Sequence, residues 1–175
     1  FIQEKKKVVY DISVYKTKLH KKNFFISLLL LLTTILAGAW VSGTDAGLSY
    51  NNFPYMGDGF LPPILTSVET TNLKSLFNDQ GFLQFLHRLF ATITLLYLLQ
   101  TIFRANKDHF FNNFKQLFYF LFFIIIVQYT LGIIILKLYI PTLLGLMHQI
   151  GALLILSLLI ISLCEAKKMG RKLAP

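Results

Sequence analysis

Four uninterrupted apolar runs, each about as long as a bilayer is thick, constrain this chain more than any other feature. Crossing the hydrocarbon core takes about 20 apolar residues in a helix, and the segments from Phe24 to Val41, Gly81 to Phe103, Gln116 to Leu136 and Thr142 to Cys164 qualify. Within them the apolar residues follow neither helical nor alternating spacing, as expected of helices that face lipid or one another on every side. Charged residues make up only 14% of the 175 residues, against about a quarter in a soluble domain. The expected class is an all-α integral membrane protein with a four-helix transmembrane bundle.

The charges orient the bundle. Residues 1–23 hold seven lysines against Glu4 and Asp11, the connection after the second run holds Arg104, Lys107 and Lys115 against Asp108, and the tail holds Lys167, Lys168, Arg171 and Lys172 against Glu165. The long first loop instead holds Asp45, Asp58, Glu69 and Asp79 against Lys74. Positive residues stay on the cytoplasmic side. Both termini are therefore expected inside, as a basic segment 1–23 and a basic tail 165–175. Loop 43–80 and the short last turn are expected outside, with Lys137 against the rule. The net charge of +9 thus reads as membrane orientation rather than nucleic-acid binding. The chain opens on Phe1 without a signal-peptide pattern, so a fragment is expected. Cys164 has no partner for a disulfide and reads as a small apolar residue.

The second and fourth runs carry the ionisable residues that matter. His87 and His148 each lie six residues inside their run, roughly 9 Å below the outer edge at 1.5 Å per residue. Each begins a His-x-x-x-Ala pattern, with Ala91 and Ala152. Their preceding runs each hold a glycine, Gly38 and Gly132, expected to let backbones approach closely. The result is a weak repeat of two hairpins. A buried histidine inside a membrane helix is a functional hypothesis by default, and two imidazoles at one depth on separate helices can supply both axial ligands of a haem iron. Arg88 is then the expected partner for a haem propionate, since a guanidinium offers a bidentate fork, although it could also snorkel to the interface. The alternative for each histidine is an interhelical hydrogen bond.

Gln84 shares the His87 face, where it could orient a ligand or bond to another helix. Gln128 and Gln149 are expected to make helix–helix contacts, and His20 and His109 to be solvated in basic segments. A zinc site lacks its third and fourth ligands, and no carboxylate pair, triad or phosphate loop lies in the spans. Loop 43–80, dense in glycine, proline and aromatics, reads equally as a lid over the haem edge or as a structured connector.

Five ordered stretches carry a resemblance: Gly38-Ala-Trp-Val-Ser-Gly-Thr-Asp-Ala-Gly-Leu48, Asn52-Phe-Pro-Tyr-Met-Gly57, Gln84-Phe-Leu-His-Arg88, Gln128-Tyr-Thr-Leu-Gly132 and Met147-His-Gln-Ile-Gly-Ala152. In order and spacing they resemble the C-terminal half of haem A synthases of the alphaproteobacterial and mitochondrial type. The resemblance implies half of a pseudo-symmetric eight-helix protein that oxidises a methyl group of haem O to the formyl of haem A for cytochrome oxidase. It implies haem b bound by His87 and His148 as metal ligands, with Arg88 beside them. It further implies a bacterial inner or mitochondrial inner membrane. The implied partners are an N-terminal half, an electron acceptor, haem O synthase and a second copy. In the family's substrate half a glutamate stands three residues before the first histidine. Gln84 occupies that offset here, which matches the cofactor half and argues against catalysis by this chain alone. Two other readings compete: a bis-histidine membrane cytochrome b for electron transfer, and a haem-free transporter or assembly subunit whose histidines are helix glue.

Overall fold

A computed structural model of the chain describes residues 2–66 and 72–172. Glu69 of the first loop, Phe1 and residues 173–175 lie outside the described residues. The structure is helical, with no strand among the described residues. Helix α1 spans Ile2–Gly43, α2 Pro63–Thr66, α3 Leu73–Asn78, α4 Gln80–Asn106, α5 Lys115–Lys137 and α6 Thr142–Lys172. Four of these, α1, α4, α5 and α6, are long and apolar enough to cross a membrane.

The first helix runs without a break for 42 residues, through both the basic segment and the apolar run. No glycine or proline interrupts it before Gly38, so nothing halts a helix once the apolar part is formed. At 1.5 Å per residue it is roughly 60 Å long, twice the hydrocarbon thickness, and its basic end projects beyond the span. Asp79 starts α4, its carboxylate accepting from the Phe82 N–H at 2.7 Å. Lys137 ends α5. There its charge complements the negative end of the helix dipole, a local reason for a basic residue in the last turn.

The helices form a ring. Helix α1 lies against α4 and α6, and α5 lies against the same two, so α4 and α6 face each other across a diagonal. The core fills the basic half: Phe24, Leu31, Leu98, Ile102, Phe118, Leu121, Ile125, Ile155, Leu159 and Leu163 are buried in one cluster. Hydroxyls knit α1 to α4 along this half and above it, through Ser27 to Thr101 at 3.4 Å and Thr34 with Thr94 at 2.8 Å. Such bonds hold membrane helices together where burial gives no hydrophobic drive.

His20 departs from the solvated reading. It is 4% exposed, pairs with Asp108 at 3.2 Å and meets the Phe111 ring edge-on. The uninterrupted α1 carries it one turn past the core, where the connection after α4 folds back over it; Lys16 approaches the same carboxylate at 3.5 Å. His109 is exposed, as expected. Removing one partner leaves the other buried and unpaired, so Asp108→Ala is expected to cost about 1–3 kcal/mol. A lowered unfolding midpoint in detergent micelles checks this, and an unchanged midpoint contradicts it.

Candidate functional site

Above the core the packing changes. No residue is buried from 32 to 43 on α1, from 85 to 93 on α4, from 126 to 134 on α5, or from 142 to 154 on α6. Four packed helices should show fully buried positions at every turn of their facing seams. Here all four leave their side chains accessible at one level, and that level holds both His87 and His148. The loop end then closes again, with Ala46, Gly47, Met56, Pro62, Leu83 and Gln84 buried.

The two histidines come from the diagonal helices α4 and α6, and each is seated against a glycine of its own hairpin. A Cβ placed on Gly38 would lie 2.9 Å from His87 Cε1, and one on Gly132 would lie 3.1 Å from His148 Cε1. Each glycine stands five residues before the last residue of its helix, Gly43 and Lys137. The hairpins thus repeat the same contact at the same height. The glycines, expected to admit a neighbouring backbone, admit an imidazole ring instead.

Their hydrogen bonds differ. His87 Nδ1 lies 3.2 Å from the Thr34 carbonyl. A carbonyl can only accept, so Nδ1 carries the proton and Nε2 keeps its lone pair, the tautomer a metal-ligating imidazole adopts. His148 Nδ1 is buried without a partner. Gln128 donates to the His148 backbone carbonyl at 2.7 Å and joins α5 to α6; it makes the helix contact expected of it. Gln149 is exposed and makes none within the described bundle.

Arg88 points toward the loop. Its Nη2 donates to the Tyr50 carbonyl at 2.7 Å, and its Nη1 to the carbonyls of Asn52 and Tyr55 at 3.2 Å each. No carboxylate pairs with it among the described residues, and its Nε–H is buried without an acceptor. Gln84 does not bond to another spanning helix: its amide donates to the loop carbonyls of Gly47 at 2.9 Å and Tyr50 at 3.1 Å. Thr34 was invisible to sequence reading because its backbone, not its side chain, makes the contact. Among the described residues no group of three or more His, Cys, Asp or Glu could hold a metal ion.

A family model described as cytochrome oxidase assembly protein, COX15-CtaA, matches residues 6–160. The chain belongs to the COX15-CtaA family. Curated relatives named heme A synthase agree. That of Rickettsia prowazekii is 36% identical over 77% of this chain and 40% of its own length, and that of Orientia tsutsugamushi strain Ikeda 38% identical over 81% and 38%. Heme A synthase COX15 of Mus musculus is 35% identical over 73% of this chain and 31% of its own length. The chain therefore spans about two fifths or less of these COX15-CtaA relatives. No solved structure matches it. With four helices long and apolar enough to cross a membrane, this member of the COX15-CtaA family is a multi-pass membrane protein.

Proposed function

We propose that this chain is the haem b-binding half of a haem A synthase, in which His87 and His148 would hold the haem iron. The observation that carries it is the pair of imidazoles on diagonal helices, each backed by a glycine, at the one level where the bundle leaves its side chains accessible. The donor set suits haem iron: two neutral nitrogens, no thiolate and no carboxylate. Arg88 suits the anionic edge of the macrocycle, since a half-buried guanidinium with only carbonyl partners and a free Nε–H favours a carboxylate nearby.

In this reading each residue has a task. Thr34 fixes the His87 tautomer and ring direction, which second-shell hydrogen bonds do for most ligating histidines. Gly38 and Gly132 make room for the rings. Arg88 offsets the charge of a propionate while tying the loop to α4, and the loop limits water at that edge. A bound haem b supplies one-electron redox chemistry. Oxidation of the haem O methyl group to the formyl of haem A belongs to the complete protein, in a bacterial or mitochondrial inner membrane, with an N-terminal half, an electron acceptor and haem O synthase as partners. The basic end faces the cytoplasm or matrix.

The test is spectroscopic. Chain purified from haem-replete cells is expected to show a Soret band and the low-spin signature of a bis-histidine haem b, without forming haem A when expressed alone. Chain that carries no haem, and takes up none on titration, would overturn the reading.

A further inference from the structure

The first loop does more than connect α1 to α4. It is fastened across the loop end of the bundle from both hairpins. Five hydrogen bonds run from Gln84 and Arg88 on α4 to the carbonyls of Gly47, Tyr50, Asn52 and Tyr55. On the far side the Asn51 amide donates at 2.9 Å to the Leu136 carbonyl in the last turn of α5. The Phe53 ring meets Tyr129 of α5 edge-on with centroids 6.5 Å apart, and Ile140 of the last turn lies directly over Gly47, leaving no room there for a Cβ. The loop thus spans from α4 to α5 over the level that holds the histidines.

Among these ties Gln84 is the most committed. It is 2% exposed, and both its donated bonds go to the loop. It sits three residues before His87, so the loop is anchored one helical turn from a proposed ligand. Its acceptor oxygen, Oε1, has no partner; the side chain is held by its donor end alone. A residue that merely joined helices would reach a neighbouring helix, and this one reaches only loop backbone.

We propose that Gln84 is a positioning residue, which holds the first loop shut over the His87 side of the site and so sets the access of water to the outer edge of the bound haem. This rests on the haem reading above. Water at the edge favours the more charged oxidised iron, so an open loop lowers the potential.

Gln84→Glu is nearly isosteric but has no N–H to donate, and it presents oxygens to the two carbonyls. Gln84→Ala removes the tie without adding charge. Measured in nanodiscs, both variants are expected to keep haem and its bis-histidine spectrum. Amides of residues 47–55 should exchange at least about tenfold faster, as for a segment that loses two net hydrogen bonds, and the midpoint potential should fall. Should Gln84→Ala fail to fold, Gln84→Asn, one methylene too short, carries the same readout. Unchanged exchange and potential with haem retained would overturn the clasp while leaving haem binding intact; so would haem loss with the loop still protected. Wild-type chain without haem sinks the earlier reading instead, and loop exchange still reports on the clasp.

Discussion

Purified His87→Ala and His148→Ala variants are expected to lose the bis-histidine spectrum, and the double variant to lose haem altogether. Each single change leaves one axial ligand, and five-coordinate iron shifts toward a high-spin spectrum. Retention should fall more than about 100-fold, since changes to groups that only support a ligand already cost 10- to 100-fold. Folding gives a clean control. Both histidines lie apart from the buried core in the basic half, so truncation leaves that core intact and helicity should persist. The two variants should also differ. Without His87, Thr34 keeps a carbonyl with no side-chain donor, whereas His148 leaves no ring hydrogen bond behind. Variants that keep full haem with unchanged spectra would refute the ligand assignment and return both histidines to the role of helix glue.

Much of the architecture was legible because a bilayer imposes length and polarity on a sequence more strictly than water does. The four runs from Phe24, Gly81, Gln116 and Thr142 each correspond to a helix, and the repeat of histidine and glycine in the two hairpins corresponds to a repeated contact. Side-chain destinations were less legible. Gln84 was read toward a haem ligand or another helix and Arg88 toward a propionate or the interface; the loop carbonyls that both also reach were not foreseen, because no spacing rule assigns a partner that is backbone and more than thirty residues away. His20 was read as solvated because its neighbours are lysines; only the fold-back of the connection at Asp108 buries it. The Gly38 seat illustrates the same limit from the other side. The residue type announced a close approach, but whether backbone or ring fills the space depends on the rotation of α4 about its axis.

That seat yields the other large expected effect. Gly38→Ala places a methyl group 2.9 Å from His87 Cε1 and 3.2 Å from Nδ1, closer than carbon atoms settle. The ring must yield, because the Cβ is fixed to a helix that cannot move without opening the Thr34–Thr94 and Ser27–Thr101 bonds. Yet yielding breaks the bond to the Thr34 carbonyl that fixes the tautomer. Gly132→Ala makes a looser contact, at 3.1 Å, with a ring that has no Nδ1 partner to lose, so His148 can turn aside at little cost. Haem retention is therefore expected to fall about 10- to 100-fold in Gly38→Ala, and less in Gly132→Ala. Stability of the haem-free protein should change little, because the preference for alanine over glycine inside a helix, about 1 kcal/mol, offsets the lost hydrogen bond. A merely structural glycine would lose stability and haem together. Weaker haem retention in a protein that unfolds no earlier, read from a Soret titration beside a thermal melt, would therefore mark Gly38 as part of the ligand seat, and equal retention in both glycine variants would contradict it.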